Sequence, residues 1–384
     1  MSAKNGCTRS LRLLGCLMAV ALLGSALAAS SASAKTVLTP TKYVALGDSL
    51  SFGYKAATLN ANAAAHKANC EAGFIAASKG ETELAYAEKA LCEPASSFEG
   101  GFVGYVGQHL KKAEKAAGHE LSIVNLGCPG ETSDGLIGHL LGGTPTAEYN
   151  PCAYHNNLPN EGFPLKVEIG HSTSQLEALL GELAGPVPVK AISLQIGSND
   201  ELHALGACES KSYDEAHGFP SILACAAHEA GTEGFLYPGG LITHIITNIG
   251  TTIGVIRSAG YTGRIVLLGF YNPFATLLPG SDQLVEVLNH TLEAEIGGET
   301  PAFGPGLVLA QPYALINRDG PLFHPGETAK ETAKKTRNEE SAICKYTEMC
   351  NAEKRVKLAG GDIHPTHAGY VAIGKLLLAA ATAP

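Results

Sequence analysis

The chain has 384 residues, with 27 Lys and Arg, 36 Asp and Glu, and a formal net charge of −9 at pH 7. The first 34 residues contain three basic residues and no acidic one, so the remaining 350 residues have a net charge of −12. An acidic surface repels phosphate backbones and anionic headgroups, which excludes nucleic acid or an anionic membrane as the main partner. A chain of this length is sufficient for one large α/β domain with insertions.

Residues 1–34 have the pattern of a secretory signal peptide. A basic start precedes an apolar run from Leu13 to Ala28, and residues 32–34 (Ala-Ser-Ala) have the small-x-small pattern of a cleavage site. Neither this run nor any later stretch is long enough to span a bilayer comfortably, so we expect a secreted, extracellular protein without a stable membrane span. Cys16 follows Leu-Leu-Gly as in a lipoprotein box, but almost no apolar region precedes it.

Short apolar runs predict five strands, which alternate along the chain with segments whose apolar residues recur at helical spacing. The predicted strands are Tyr43–Leu46, Leu121–Leu126, Val189–Ile196, Arg264–Phe270 and Leu307–Ala310. The predicted helices include 98–117, 172–183, 241–256, 284–296 and the closing segment 365–381. Such alternation is typical of a central, mostly parallel five-stranded sheet with helices on both faces, so we expect a three-layer α/β/α fold.

Four segments outside this alternation are interpreted as insertions within a single domain that spans residues 35–384. They are rich in Gly, Pro, Ala or charged residues, and they cover 55–97, 142–170, 206–240 and 321–351. Since no internal repeat is evident, we do not expect a second module.

Eight cysteines remain after the signal peptide, and an even number in an exported chain predicts disulfides. Sequence alone permits many pairings, but the cysteines fall in four local couples, which predict the bonds Cys70–Cys92, Cys128–Cys152, Cys208–Cys225 and Cys344–Cys350. The alternative is a zinc site, but the chain contains neither Cys-x-x-Cys nor His-Glu-x-x-His. We therefore expect no bound metal.

The stretch from Tyr43 to Tyr54 combines a buried strand with a sharp turn. Gly47 ends the strand, and Asp48 and Ser49 follow as residues that commonly begin a helix. A serine on such a turn points its hydroxyl into the crevice at the carboxyl edge of the sheet, where open α/β sheets bind ligands. Because an ordinary turn or N-cap is the alternative, Ser49 is a candidate nucleophile only if partner groups follow.

Two later turns offer hydrogen-bond donors. Gly130, in Gly-Cys-Pro-Gly-Glu-Thr-Ser after the second strand, leaves a backbone N–H accessible because glycine permits close approach. Asn199, in Gly-Ser-Asn-Asp after the third strand, offers uncharged amide donors. Such donors stabilise a carbonyl oxygen that becomes negative, although each turn alone is equally typical of a loop or helix cap. We expect Asp200 to order its loop rather than take part in chemistry.

His364 is the candidate general base, since only histidine titrates near pH 7 unaided. Asp362 lies two residues before it and a proline follows it. Side chains two positions apart in an extended chain point the same way, so Asp362 can reach the imidazole. A backbone carbonyl is the alternative acceptor, and His367 is expected to cap the closing helix or face solvent.

Taken in order, these four blocks resemble the signature blocks of the SGNH (GDSL) hydrolases, including the secreted lipases and esterases of actinobacterial type. The resemblance spans Tyr43 to Tyr370 and departs at the acid, because the usual family spacing is Asp-x-x-His. It implies a flavodoxin-like fold and an acyl-enzyme mechanism. Ser49 would attack, His364 would take its proton and Asp362 would orient the imidazole, while Ser49 N–H, Gly130 N–H and Asn199 would hold the oxyanion.

The sequence therefore predicts a secreted esterase or lipase for small-molecule or lipid esters, monomeric and without a cofactor. One alternative is a carbohydrate esterase that removes acetyl groups from polysaccharide, which the absence of Trp slightly disfavours. Another is a non-catalytic extracellular binding protein on the same scaffold. Because each cysteine couple neighbours a block, we also expect the disulfides to brace the cleft and the insertions to set specificity.

Overall fold

The computed structural model describes residues 38–55, 58, 61, 64–79, 100–138, 174–210, 213, 216–237, 239–278, 280–297, 304–317, 328–350 and 362–383. The predicted signal peptide and the insertion 142–170 lie outside these residues. Each of the predicted disulfides Cys70–Cys92 and Cys128–Cys152 also has at least one cysteine side chain that lies outside the described part of the chain.

The five predicted strands form one parallel sheet. They are β1 Thr39–Gly47, β2 His119–Asn125, β3 Val189–Gln195, β4 Arg264–Leu268 and β5 Leu307–Ala310, in the spatial order β2-β1-β3-β4-β5. In register, Ile192 lies beside both Val44 and Ile265. Because the chain passes from β1 outward to β2 and then back to β3, the order reverses at β1. Open α/β sheets bind ligands beyond the carboxyl ends of strands at such a reversal.

The helices connect and flank these strands. In chain order they are α1 Ser49–Phe52, α2 Lys67–Ser78, α3 Phe102–Ala116, α4 Ser133–Ile137, α5 Gln175–Ala184, α6 Ser198–Cys208, α7 Ile222–Ala230, α8 Leu241–Ser258, α9 Ser281–Gly297, α10 Tyr313–Ile316, α11 Ala329–Tyr346 and α12 His367–Thr382. A 3₁₀ turn at Glu348–Cys350 follows α11. Within the part of the chain that is described, no helix has the length and apolarity to cross a bilayer.

Helices cover both faces of the sheet because alternate strand residues point to opposite sides. Val44 and Leu46 lie in one buried apolar cluster with residues of α5 and α8. Tyr43 and Ala45 lie in another with residues of α3 and α12. The two clusters confirm the three-layer α/β/α fold that the alternation of elements predicts.

The segment 321–351 differs most from its sequence-based interpretation as an insertion rich in charged residues. Its described part contains α11, an 18-residue helix that begins with a capping box between Thr328 and Glu331. Ala342, Ile343 and Tyr346 bury one face of this helix in a third apolar cluster. The apolar residues are confined to its last turns, so the Lys- and Glu-rich sequence before them obscured the helix.

The predicted bonds Cys208–Cys225 and Cys344–Cys350 are both present, with Cα–Cα distances of 5.7 and 5.1 Å. Cys208–Cys225 joins the end of α6 to α7, which lies within the predicted insertion 206–240. Cys344–Cys350 joins the last turn of α11 to the 3₁₀ turn that follows it. Two of the four predicted disulfides are thereby confirmed.

Candidate active site

The turn that carries Ser49 is held against the neighbouring strand. Gly47 has φ +140°, and a Cβ at this position would lie 2.0 Å from the carbonyl oxygen of Gln195, so only glycine permits this approach of β1 to β3. Asp48 caps α1 by accepting a hydrogen bond from Leu50 N at 2.8 Å. The Gln195 side chain donates to the other Asp48 carboxyl oxygen at 2.9 Å. Ser49, the first residue of α1, is thus fixed at the carboxyl edge of the sheet.

The carboxyl group of Asp48 is fully buried beside this turn. Burial raises its pKa to about 6, against the opposing effect of the hydrogen bonds from Leu50 and Gln195. At neutral pH the group is therefore mostly ionised, which suits an acceptor of two hydrogen bonds.

Three of the candidate catalytic side chains form a hydrogen-bonded chain. Nε2 of His364 lies 2.8 Å from Oγ of Ser49, and Nδ1 lies 2.5 Å from Oδ1 of Asp362. Asp362 is 1 % exposed and also accepts a bond from the backbone N–H of His364 at 3.0 Å. Because the carboxylate can only accept, it fixes the proton on Nδ1 and leaves the Nε2 lone pair facing the serine hydroxyl. The imidazole is thus oriented by the side chain of Asp362.

The segment that carries His364 pairs with the end of α11. The carbonyl of His364 accepts from Glu348 N at 2.9 Å, and Thr366 N donates to the carbonyl of Tyr346 at 2.9 Å. An antiparallel bridge between Thr347 and Pro365 lies between these two bonds. The disulfide Cys344–Cys350 encloses the paired residues of α11 and its 3₁₀ turn, so it acts on the segment that positions the base.

Aromatic residues contact the same segment from the other side. The Tyr271 hydroxyl donates to the carbonyl of Ile363 at 2.9 Å, and the ring of Tyr54 packs 4.4 Å from the imidazole of His364. His367 is exposed at the start of α12, where Thr366 supplies the cap. Of the two nearby histidines, only His364 reaches Ser49.

Of the other two predicted oxyanion groups, Asn199 lines a cavity together with Ser49, whereas Gly130 does not. Asn199 is the second residue of α6 and lines the same cavity as Ser49 and His364. Its Nδ2 donates to the carbonyl of Glu131 at 2.8 Å, and the second hydrogen of that amide remains to serve another acceptor. Gly130 has φ +82° and directly precedes Glu131, but it does not line the cavity.

Asp200 connects the second and third turns. It is buried, and its two carboxyl oxygens accept from the backbone N–H and the hydroxyl of Ser133 at 2.9 and 2.7 Å. Burial raises the pKa of Asp200 to about 6, and the bonds from Ser133 oppose this effect. These contacts hold α6 against the start of α4. They are of the kind expected if Asp200 orders its loop.

An apolar cavity of about 120 Å³ opens beside Ser49 and His364. Its walls come from α6, α7, α8 and α9, and the lining includes Leu202, Leu205, Ala226, Ile245, Leu284 and Leu288. Glu201 also lines it, and burial raises the pKa of this carboxyl to about 8, with the charges of Asp200 and Asp48 adding to the effect. The cavity suits an aliphatic group attached to a carbon that the candidate nucleophile Ser49 would attack.

Three buried amides that support the nucleophile turn were missed in the sequence. Gln195 donates to Asp48, Asn125 donates to the carbonyl of Ser51 at 2.9 Å, and Gln175 contacts Gly47. An amide at the end of an apolar strand was an available signal for Gln195 and Asn125. No sequence signal indicated Gln175, which looks like any polar residue in the first turn of a helix.

Comparison with known proteins yields distant structural neighbours. No family model matches the chain, and no curated protein matches its sequence. A lipase, Lip_vut3 from a goat rumen metagenome, is 16% identical with a TM-score of 0.41 and aligns over 88% of this chain and 97% of its own. A member of the lipolytic protein G-D-S-L family from Veillonella parvula DSM 2008 is 13% identical with a TM-score of 0.39, over 88% and 96%. The functional argument therefore rests on this chain's own geometry.

Proposed function

We propose that this chain is a serine hydrolase of carboxylic esters that resembles the SGNH (GDSL) hydrolases in its motifs and mechanism. One observation carries the proposal: Ser49 Oγ, His364 and Asp362 are linked by contacts of 2.8 and 2.5 Å at the carboxyl edge of a parallel sheet. A serine hydroxyl is a weak nucleophile until an adjacent base accepts its proton. These contacts supply the base and the group that orients it.

In the first half of the proposed reaction, Ser49 Oγ attacks the ester carbonyl carbon while its proton moves to Nε2 of His364. Asp362 stabilises the imidazolium that forms, because its carboxylate accepts the bond from Nδ1–H. His364 then gives the proton to the leaving alcohol, and the acyl group stays on Ser49. Water attacks the acyl-enzyme with the same base, which releases the acid and restores the serine.

Negative charge on the carbonyl oxygen requires hydrogen-bond donors near Ser49. The backbone N–H of Ser49 lies in the first turn of α1, where helix N–H groups lack an intrahelical acceptor. We assign the second amide hydrogen of Asn199 to the same oxygen. The backbone N–H of Gly130 remains a proposed third donor.

The apolar cavity favours an ester whose acyl part is an aliphatic chain. A carbohydrate deacetylase would need hydrogen-bonding groups for sugar hydroxyls, whereas the wall of this cavity is formed mostly by Leu, Ile, Val and Ala side chains. We extend the proposal to the whole chain as a monomeric secreted enzyme, in which residues 1–34 are a signal peptide and residues 35–384 form one domain.

The test is hydrolysis of p-nitrophenyl esters of increasing acyl length by wild type, Ser49→Ala and the matched control Ser122→Ala. Ser122 is an exposed residue in the middle of β2 and does not line the cavity. We expect Ser49→Ala alone to lose activity, and kcat/KM of wild type to rise from acetate toward medium chains. Activity confined to acetate would favour the deacetylase, and equal activity in all three proteins would refute a Ser49 nucleophile.

A further inference from the structure

Gln175, the first residue of α5, holds the residue that precedes the Asp48–Ser49 turn at two points. Its Oε1 accepts from Gly47 N at 2.8 Å, and its Nε2 donates to the carbonyl of Gly47 at 2.8 Å. Gln175 is fully buried. One side-chain amide thus pairs with both the N–H and the carbonyl of Gly47, as the backbone of a neighbouring strand would do.

The remaining hydrogen of the Gln175 amide is directed at Glu131. The backbone of Gly47 fixes which end of the amide is oxygen, so Nε2 must donate its second hydrogen to Oε2 of Glu131, 3.0 Å away. The main-chain carbonyl of Glu131 in turn accepts from Asn199 Nδ2 at 2.8 Å. Two residues, Gln175 and Glu131, therefore connect Gly47 to the proposed oxyanion donor Asn199.

The surroundings of Glu131 favour a neutral carboxyl group. Its side chain is fully buried, and among the described residues it has no ion pair and no hydrogen-bond partner for Oε1. Burying a carboxylate without a counter-ion is strongly unfavourable. The carboxyl groups of Asp48 and Asp200 are close enough to raise its pKa further, and a cationic group is absent from its described contacts.

We propose that Gln175 and Glu131 form a positioning pair that sets the spacing between Ser49 and Asn199, and that it does so with Glu131 protonated. The inference rests on the proposed esterase reaction, because spacing matters only if both groups act on one carbonyl. Glu131 touches no substrate; it acts through Gln175 on one side and Asn199 on the other. If Glu131 were ionised, it would attract the Gln175 amide more strongly and displace it. It would also bring a negative charge close to the carbonyl oxygen of the ester, which must itself become negative during the reaction.

The pair has a pH dependence with a definite sign. Burial raises the pKa of Glu131 to about 8, and the charges of Asp200 and Asp48 add to the rise. The hydrogen bonds from Gln175 and from the backbone N–H of Thr132 oppose it. Activity should therefore fall above about pH 8, as Glu131 ionises. The other titrating groups near these residues are Asp48, Asp200 and Glu201, with His244 beside Asp200; only Glu201 shares a pKa of about 8.

The first test compares Gln175→Met with Asn289→Leu. Asn289 is a matched control because its buried amide also pairs with both backbone groups of one residue after a strand, Phe270 N at 2.9 Å and O at 3.0 Å. Both variants keep the side-chain size and lose two backbone hydrogen bonds. With p-nitrophenyl butyrate we expect Gln175→Met to lower kcat about thirtyfold with little change in KM, and Asn289→Leu to leave kcat within about twofold. Equal kcat losses in both would overturn the positioning role.

The second test is the pH profile of kcat/KM for wild type, Glu131→Gln and Glu201→Gln. Glutamine mimics a neutral carboxylic acid, so Glu131→Gln should keep its activity near pH 7 and lose the fall above pH 8. Glu201→Gln should keep that fall. A fall that persists in Glu131→Gln, or that disappears only in Glu201→Gln, would overturn the assignment.

A readout without ester separates this inference from the proposed function. The carboxyl ¹³C resonance of Glu131, assigned by its loss in Glu131→Gln, should titrate near pH 8 in the full chain. A midpoint near the usual value of a glutamate would refute the neutral carboxyl even in an active enzyme. A midpoint near 8 in a protein that hydrolyses no ester would refute the esterase and leave the carboxyl assignment supported.

Discussion

The two halves of the proposed active site are held in different ways. Ser49 follows the central strand β1, and buried amides of Gln175 and Gln195 bind the residues just before it. His364 lies on a peripheral segment that pairs with the end of α11, next to the disulfide Cys344–Cys350. The proposed nucleophile is therefore positioned by the core, whereas the proposed base is positioned by a segment at its periphery.

Because of this difference, a substitution can affect catalysis without an equal effect on the stability of the fold. Displacing the nucleophile turn requires breaking buried hydrogen bonds within the sheet, which the whole fold resists. Displacing His364 requires that the end of α11 loosens and that the bond from Tyr271 to the carbonyl of Ile363 breaks. We infer that substitutions near α11 lower kcat more than their effect on overall stability would suggest.

The largest effect is expected in the base half, from Asp362→Asn. An amide can present N–H toward Nδ1 and favour the wrong tautomer, and such a replacement lowers kcat about 10⁴-fold in a Ser-His-Asp triad. The measurement is kcat on p-nitrophenyl butyrate at pH 8, with circular dichroism as the control for folding. A loss of less than about tenfold would mean that a backbone carbonyl orients His364 instead.

In the nucleophile half, Asn199→Ala tests the oxyanion assignment. Removing one donor of this kind typically lowers kcat by about 10²- to 10³-fold. The same variant should still react with a fluorophosphonate, although more slowly, because Ser49 and His364 are unchanged. An unaltered kcat would exclude Asn199 from the oxyanion site and leave Gly130 and Ser49 as the donors.

Removal of each of the two confirmed disulfides should have a different effect on the kinetics. Replacing Cys344 and Cys350 by Ala should lower kcat severalfold for every ester, since their bond lies beside the residues that pair with the His364 segment. Replacing Cys208 and Cys225 should raise KM for long acyl chains and leave acetate hydrolysis nearly unchanged, because that bond joins two helices of the cavity wall. The same kinetic change in both double variants would contradict a division of roles.

The smallest expected effect is a change in how the stability of the protein depends on pH. A glutamate whose pKa is raised in the folded state binds its proton more tightly there, so wild type should lose stability as pH rises from about 4.5 toward about 8. Glu131→Gln cannot lose a proton, so its Tm should increase relative to wild type over that range. Differential scanning fluorimetry at a series of pH values measures this, and a constant Tm difference would argue against a buried neutral carboxyl.

The strands and the nucleophile turn were predictable because the physical causes are local. Strand β1 is an apolar run, Gly47 permits a conformation that other residues resist, and Asp48 is a common helix cap. The distance from Asp362 to His364 is likewise set by two residues of extended chain. These local causes place each candidate residue on its own turn, but the contact between Ser49 and His364 joins positions 315 apart and depends on the whole fold.

The supporting groups could not be predicted because their partners are distant in sequence. Gln175 meets Gly47 across 128 positions, and Gln195 meets Asp48 across 147. Nothing in the local sequence of a polar residue in a helix or strand indicates which turn it will bind. The helix α11 was obscured for another reason, since its buried face is short and its polar turns dominate the composition.

The most direct measurement of the central claim is intact mass after treatment with a fluorophosphonate, for wild type, Ser49→Ala and His364→Ala. An activated serine hydrolase forms one covalent adduct, so we expect one adduct on wild type and none on either variant. An unmodified wild type would contradict the hydrolase assignment and favour a non-catalytic binding protein. An adduct that persists on Ser49→Ala would show that the nucleophile is a different serine.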